Sequence, residues 1–129
     1  MKIVMVADDS PVIRKVARRL LEDMNFVVVE ASDGEEVVEL ARDNMPDAIL
    51  IDWEMPRLNG QEVIAAIAGM PQAANTKLIY CTSEVLVPEM TKAKRSGAHG
   101  FLMKPFNRKV LTKVFIDNGL LDDSKQQVA

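Results

Sequence analysis

Five short apolar runs, each followed by an amphipathic segment, constrain this chain more than any other feature of its sequence. They read KIVMVA at 2–7, FVVVEA at 26–31, AILI at 48–51, KLIYC at 77–81 and GFLM at 100–103. Most are rich in Val and Ile and show little alternation, the pattern of strands covered on both faces. The intervening segments carry helix signals. Ser10 and Pro11 form a cap and first-turn pair. Behind them Val12, Ile13, Val16, Ala17, Leu20 and Met24 are expected to share one face, with Arg14, Lys15, Arg18 and Arg19 on the other. A second helix over about 34–45 gathers Val37, Val38, Ala41 and Met45 and ends before Pro46, and a third over about 60–69 turns Val63, Ile64 and Ile67 inward. A fourth begins near Pro88, leaving Glu84 to Val87 as loop, and stops at Gly97. The fifth takes Asn107 as its cap, buries Val110, Leu111 and Val114, and stops at Gly119.

Repeated βα units predict an α/β fold, a doubly wound parallel sheet with helices on both faces. Ligands of such sheets bind at the carboxyl ends of the strands. The 129 residues suit a single domain, expected over 1–118, with 119–129 a polar and flexible tail. No apolar run approaches the roughly 20 residues of a spanning helix, and the N-terminus lacks the pattern of a signal peptide. A lone cysteine, Cys81, lies within a strand and reads as a buried thiol in a reducing compartment, so a cytoplasmic location is expected. A net charge of −3 argues against nonspecific nucleic-acid binding as the main activity.

The predicted strand ends share one chemistry. Strand one runs into Asp8 and Asp9, strand three into Asp52, strand four into Thr82 and Ser83, strand five into Lys104 and Pro105. Converging carboxylates repel unless some are protonated or a cation holds them together. An all-oxygen set without histidine or cysteine suits Mg²⁺ or Mn²⁺. The single histidine, His99, lies beside Gly97 and Gly100 and reads as an exposed turn residue. A divalent ion, the Lys104 ammonium and the Thr82 hydroxyl are equipment for handling a phosphoryl group, with a carboxylate as acceptor.

The segments ADDSPVIRK, ILIDWEMPRLNG, YCTSE and FLMKPF resemble the signature segments of response-regulator receiver domains, of the single-domain CheY type used in two-component signalling. The resemblance covers roughly residues 2–118 and implies the strand order 2-1-3-4-5, for which CheY is a type example. It implies that Asp52 is the phospho-acceptor, served by a histidine kinase or a histidine phosphotransfer protein. Asp8, Asp9, Asp52 and the backbone carbonyl of Glu54 would hold Mg²⁺. Lys104 would pair with the phosphoryl oxygens, and its bond to Pro105 would be cis. Thr82 would swing toward the phosphate, Phe101 would turn inward behind it, and Trp53 would lie over the site as a lid. Such a chain is a signalling switch rather than an enzyme acting on a separate substrate. With no effector or DNA-binding domain expected after residue 118, its output would be a protein contact, onward phosphotransfer or removal of phosphate from a shared kinase.

Two charged faces stand apart from these motifs. Arg14, Lys15, Arg18 and Arg19 on the first helix read as a docking face for the phosphodonor protein, with an ordinary solvated face as the alternative. Residues 88–117 carry seven basic side chains, Lys92, Lys94, Arg95, Lys104, Arg108, Lys109 and Lys113, against Glu89 and Asp117. That surplus on the fourth helix, fifth strand and fifth helix suits an acidic partner segment or an anionic ligand such as a cyclic dinucleotide. Two rival functions share parts of the pattern. A haloacid-dehalogenase-like phosphatase uses a two-acid motif that Asp52 and Glu54 echo, but the threonine expected soon after is missing. A flavodoxin-like carrier wants a loop of free amides, and ADDSP would repel an anion.

Overall fold

A central sheet of five parallel strands, ordered 2-1-3-4-5, organises the chain. In chain order the elements are β1 (Ile3–Ala7), α1 (Pro11–Asp23), β2 (Val27–Ala31), α2 (Gly34–Asp43), β3 (Ala48–Asp52), α3 (Gly60–Ala68), β4 (Lys77–Thr82), α4 (Val87–Ser96), β5 (Gly100–Met103) and α5 (Arg108–Asp117). The computed structural model describes residues 2–84 and 86–122. Among these residues no helix is long and apolar enough to cross a membrane.

The sheet sets the core because alternate residues of each strand feed opposite faces. Met5, Ile49, Ile51, Leu78 and Tyr80 pack against Val37, Val38 and Ala41 of α2, Val63, Ile64 and Ile67 of α3, and Ala93 of α4. Val4, Val6, Leu50, Ile79, Cys81 and Leu102 pack on the other face against Ala17 and Leu21 of α1 and Leu111 and Phe115 of α5. β3 is buried along its whole length, which places Asp52 at the end of the best-covered strand. Each fully buried aliphatic side chain there contributes about 1.5–3 kcal/mol by leaving water. Cys81 lies in the second of these layers, where burial pushes its thiol pKa far up.

Several element details differ from the sequence reading. On α1 the buried stripe is Ala17 and Leu21, continued by Met24 just past the helix end, whereas Val12 and Val16 are 69% and 48% exposed. Positions 17, 21 and 24 follow the i, i+4, i+7 rule, and 12 and 16 fall outside that arc. On α5 the same spacing buries Leu111 and Phe115 and leaves Val110 exposed. α2 stops at Asp43, since Met45 precedes Pro46 and is disfavoured in helical geometry. Val87 belongs to α4 rather than to the preceding loop, and Pro88 sits in the first turn, where no amide is needed. Glu84 and Leu86 lie outside the helix, and Val85 is outside the described residues. The packed chain also runs past 118. The Leu120 amide donates to the Phe115 carbonyl at 2.8 Å, and Leu120 is buried with Leu121 beside it. The rest of the expected tail, 123–129, lies outside the described residues.

Candidate functional site

Four strands end at one crevice of about 700 Å³, lined by Asp8, Asp9, Asp52, Thr82 and Lys104 together with Trp53, Glu54, Leu86 and Glu89. Asp8 follows the last residue of β1, Asp52 and Thr82 close β3 and β4, and Lys104 follows β5. Parallel strands in register therefore deliver side chains that are far apart in sequence to one edge. The Lys104 amide continues the sheet by donating to the Thr82 carbonyl at 2.8 Å, and the Lys104–Pro105 peptide is cis.

Asp8, Asp9 and Asp52 each offer a carboxylate oxygen within 4.8 Å of the others. Asp8 and Asp52 are buried and Asp9 is exposed. Lys104 Nζ donates to Asp8 Oδ2 at 3.1 Å and to Asp52 Oδ1 at 3.0 Å. Asp8 Oδ1 accepts from the Ser10 amide at 2.9 Å, and Asp52 Oδ1 from the Glu54 amide at 3.5 Å. Thr82 Oγ1 donates to the Glu84 carbonyl at 2.8 Å and accepts from the Glu84 amide at 3.2 Å, so its hydroxyl is turned along its own loop.

Burial raises the Asp52 pKa above the ordinary carboxylate value, with Lys104 opposing and Asp8 adding to the rise. Burial also works against the Lys104 ammonium, yet hydrogen bonding and attraction from Asp52 and then Asp8 outweigh it and raise its pKa. One ammonium among three carboxylates leaves an excess of negative charge in a partly dry crevice. The donors are all oxygen, and exposure at Asp9 leaves room for an ion to keep several waters, so the residues fit Mg²⁺ or Mn²⁺.

The other expected residues are placed as follows. Glu54 lines the crevice. Trp53 is half-buried beside it, its ring 4.7 Å from Tyr80 in a T-shaped pair, and Phe101 makes a second T-shaped pair with the same tyrosine at 5.6 Å. Phe101 is half-buried and is not part of the crevice wall. His99 sits at the opposite end of β5, exposed, with its Nδ1 accepting from the Leu78 amide at 3.0 Å. Lys92, Lys94 and Arg95 on α4 and Arg108 and Lys109 on α5 are all exposed. Arg14 and Arg18, both partly exposed, pair with Glu30 at 3.0 and 2.7 Å. Lys15 and Arg19 are the exposed bases of that helix.

Sequence reasoning missed three features of the site. Glu30, one residue before the end of β2, joins the network of β1 and α1; it lies at the sheet edge already known to collect polar residues, and that was its signal. Tyr80, fully buried in β4, donates its hydroxyl to Glu89 Oε2 of α4 at 3.0 Å. Burial pushes its pKa up to about 12. A tyrosine in mid-strand needs a partner for its hydroxyl, which is a signal without an address. Gly60 is the third. A Cβ there would lie 2.7 Å from the Asp52 carbonyl oxygen and 2.8 Å from Trp53 Cα, so the start of α3 rests directly on the backbone at the end of β3.

The family model for the response regulator receiver domain matches residues 4–116. The chain belongs to this receiver family. Among curated proteins it is similar to chemotaxis protein CheY of Halobacterium salinarum, 35% identical over 83% of this chain and 88% of that one. It is also similar to CheY of Pseudomonas aeruginosa, 29% identical over 84% of this chain and 88% of that one. Against the Helicobacter pylori sensor histidine kinase CheAY the identity is 32%, but the chain spans only 14% of that protein's length. Among solved structures, Vibrio cholerae CheY4 superposes with a TM-score of 0.86 at 32% identity, covering 92% of this chain and 98% of that one. The receiver domain of the P. aeruginosa sensor histidine kinase PA1611, solved with magnesium in its active-site cleft, gives 0.83 at 25% identity, covering 92% of this chain and 98% of that one. This is a CheY-like receiver of two-component signalling, with the doubly wound five-stranded fold. Receivers are signalling switches that interact with histidine kinases and downstream targets, and the phosphatase and carrier alternatives give way to that membership.

Proposed function

We propose that this receiver accepts a phosphoryl group on Asp52 from a histidine kinase or histidine phosphotransfer protein and signals through a phosphorylation-dependent protein contact. The observation that carries the proposal is the placing of Asp52. It is a buried carboxylate at a strand end, held 3.0 Å from Lys104, with Asp8 and Asp9 inside 4.8 Å. Asp8, Asp9, Asp52 and the Glu54 carbonyl would hold Mg²⁺, which supplies neutralising charge to the phosphoryl oxygens. An Asp52 carboxylate oxygen forms the new bond to phosphorus as the donor's phosphorus–nitrogen bond breaks. The departing imidazole keeps that electron pair and takes a proton. Lys104 turns from the carboxylates to a phosphoryl oxygen, and the Thr82 hydroxyl leaves its loop to donate to another. Trp53 shields the site, and Phe101 relays the change through Tyr80, the ring both of them touch.

On α1, Arg14 and Arg18 are tied to Glu30, so donor docking falls mainly to Lys15 and Arg19, with Arg18 at the edge. Output is proposed for the α4–β5–α5 face, where Lys92, Lys94, Arg95, Arg108 and Lys109 favour an acidic protein segment or an anionic ligand. Onward phosphotransfer or a phosphate sink are the alternative outputs. The proposal places the chain in the cytoplasm, the compartment that its single unpaired cysteine suits. Incubation with a small phosphodonor tests it: uptake of one base-labile phosphoryl group that requires Mg²⁺ and is lost in Asp52→Asn supports the proposal. Uptake unchanged in Asp52→Asn, or equal without a divalent ion, overturns it.

A further inference from the structure

Arg14 reaches from α1 to the end of β1 and touches the backbone of the acidic loop. Its Nη1 donates to the Asp8 carbonyl at 2.7 Å, and its Nε donates to Glu30 Oε1 at 3.0 Å. Glu30 stands near the end of β2, in register with Val6 of the neighbouring strand, and its second oxygen accepts from Arg18 Nε at 2.7 Å. The guanidinium is a rigid planar fork, so fixing Nε on Glu30 fixes the direction of Nη1. Arg18, and then Arg14, hold the Glu30 carboxyl below its ordinary range, so the brace is ionised at neutral pH.

The Asp8 carbonyl belongs to the peptide that carries Asp9. Other groups of Asp8 are also fixed: its amide donates to the Ala31 carbonyl at 3.1 Å, and its carboxylate accepts from Ser10 and Lys104. Arg14 adds the remaining tie, on the side of the peptide that leads to the exposed acid.

We propose that Arg14, oriented by Glu30, is a positioning residue for the divalent cation: it sets the plane of the Asp8–Asp9 peptide and thereby aims Asp9 into the crevice with Asp8 and Asp52. The inference rests on the metal site proposed above. Simple electrostatics predicts the opposite sign. Arg14 is a positive charge near the cluster, so its loss alone would tighten the binding of a cation. Loss of aim weakens it.

Calorimetric titration of Mg²⁺ into the full chain separates the two. Arg14→Gln and Glu30→Gln are expected to weaken Mg²⁺ about ten-fold or more, the usual cost of losing a group that orients a ligand. Arg14→Lys reaches only one of the two acceptors and falls between. Arg18→Gln loses a Glu30 contact but none to Asp8, and stays within about two-fold of the wild type. Far-UV circular dichroism verifies folding, and should Arg14→Gln not fold, Arg14→Lys carries the comparison, because it keeps the positive charge and loses the fork, whereas Glu30→Gln also removes a negative charge and would weaken a cation by electrostatics alone. Folded Arg14→Gln and Glu30→Gln that bind Mg²⁺ as well as the wild type, or better, overturn the brace. An equal loss in Arg18→Gln does so too. A wild-type chain that binds no Mg²⁺ overturns the metal site itself and the brace with it.

Discussion

Lys104 Nζ lies 3.0 Å from Asp52 Oδ1, an ammonium from the end of β5 set against a carboxylate from the end of β3. The same nitrogen reaches Asp8, so it occupies part of the charge balance that a divalent ion would share. Lys104→Met removes this competitor while keeping an apolar stem of similar length. Mg²⁺ binding should tighten by about 1 kcal/mol or more, roughly five-fold, when measured by calorimetry. Coupling of phosphate to output should be lost in the same variant, since no ammonium is left to follow the phosphoryl oxygens.

The raised pKa of Asp52 gives a pH dependence of definite sign. Burial is the main cause, so the folded state binds this proton more tightly than the unfolded chain does. The stabilisation is therefore complete below the ordinary aspartate range and is lost as pH rises through the raised folded value. Once Asp52 is ionised its buried charge costs stability, and Asp52→Asn removes that cost. Its thermal midpoint should exceed the wild type's by about 2 °C or more at pH 7 in metal-free buffer, with the gap closing under acidic conditions. A gap that widened as pH fell would contradict the assignment of burial as the dominant cause.

Gly60 supports the site from behind. Gly60→Ala puts a methyl group 2.7 Å from the Asp52 carbonyl oxygen and 2.8 Å from Trp53 Cα, both backbone atoms that cannot rotate away. Relief requires α3 or the end of β3 to move, at about 1–3 kcal/mol. Denaturant melts should register that loss, and Trp53 emission should shift even in the folded protein. Unchanged stability and emission would mean that the loop yields more freely than the geometry allows.

The exposed bases of α4 and α5 give the output proposal a salt signature. Target binding should strengthen on phosphorylation and fall steeply over a few hundred millimolar salt, as the screening length shrinks from about 10 Å at 0.1 M toward 3 Å at 1 M. Arg108→Glu with Lys109→Glu should abolish that binding while Asp52 still takes up phosphate. Normal target binding by the doubly reversed chain would move the output surface elsewhere.

The fold was legible because its signals are periodic. The strands are continuous apolar runs, and Ser10, Asn107, Gly97 and the prolines punctuate the helices, so element types followed directly. What failed were the edges of helical faces: Val12, Val16 and Val110 are apolar yet exposed, because sequence reports hydrophobicity and only packing decides which arc is covered. The convergence of Asp8, Asp9, Asp52, Thr82 and Lys104 followed from strand-end positions alone. Arg14, Glu30, Tyr80 and Gly60 did not. Each acts through a specific contact in three dimensions, a carbonyl, a second carboxylate or a near-touching backbone, and residue type alone does not name that partner. The basic face of α1 shows the same limit, since residue type marks a docking or solvated face but not the glutamate of the adjacent strand that pairs with two of its arginines.

Chemical mapping shows which carboxylate carries the phosphoryl group. The wild-type chain is phosphorylated with a small donor and Mg²⁺, then treated with borohydride, which reduces an aspartyl phosphate to homoserine. Peptide mass spectrometry locates the change. Homoserine is expected at position 52 and at no other acidic residue. Conversion at Asp8, Asp9 or Glu54 with Asp52 intact, or a phosphorylated chain with no reducible acyl phosphate, would contradict it.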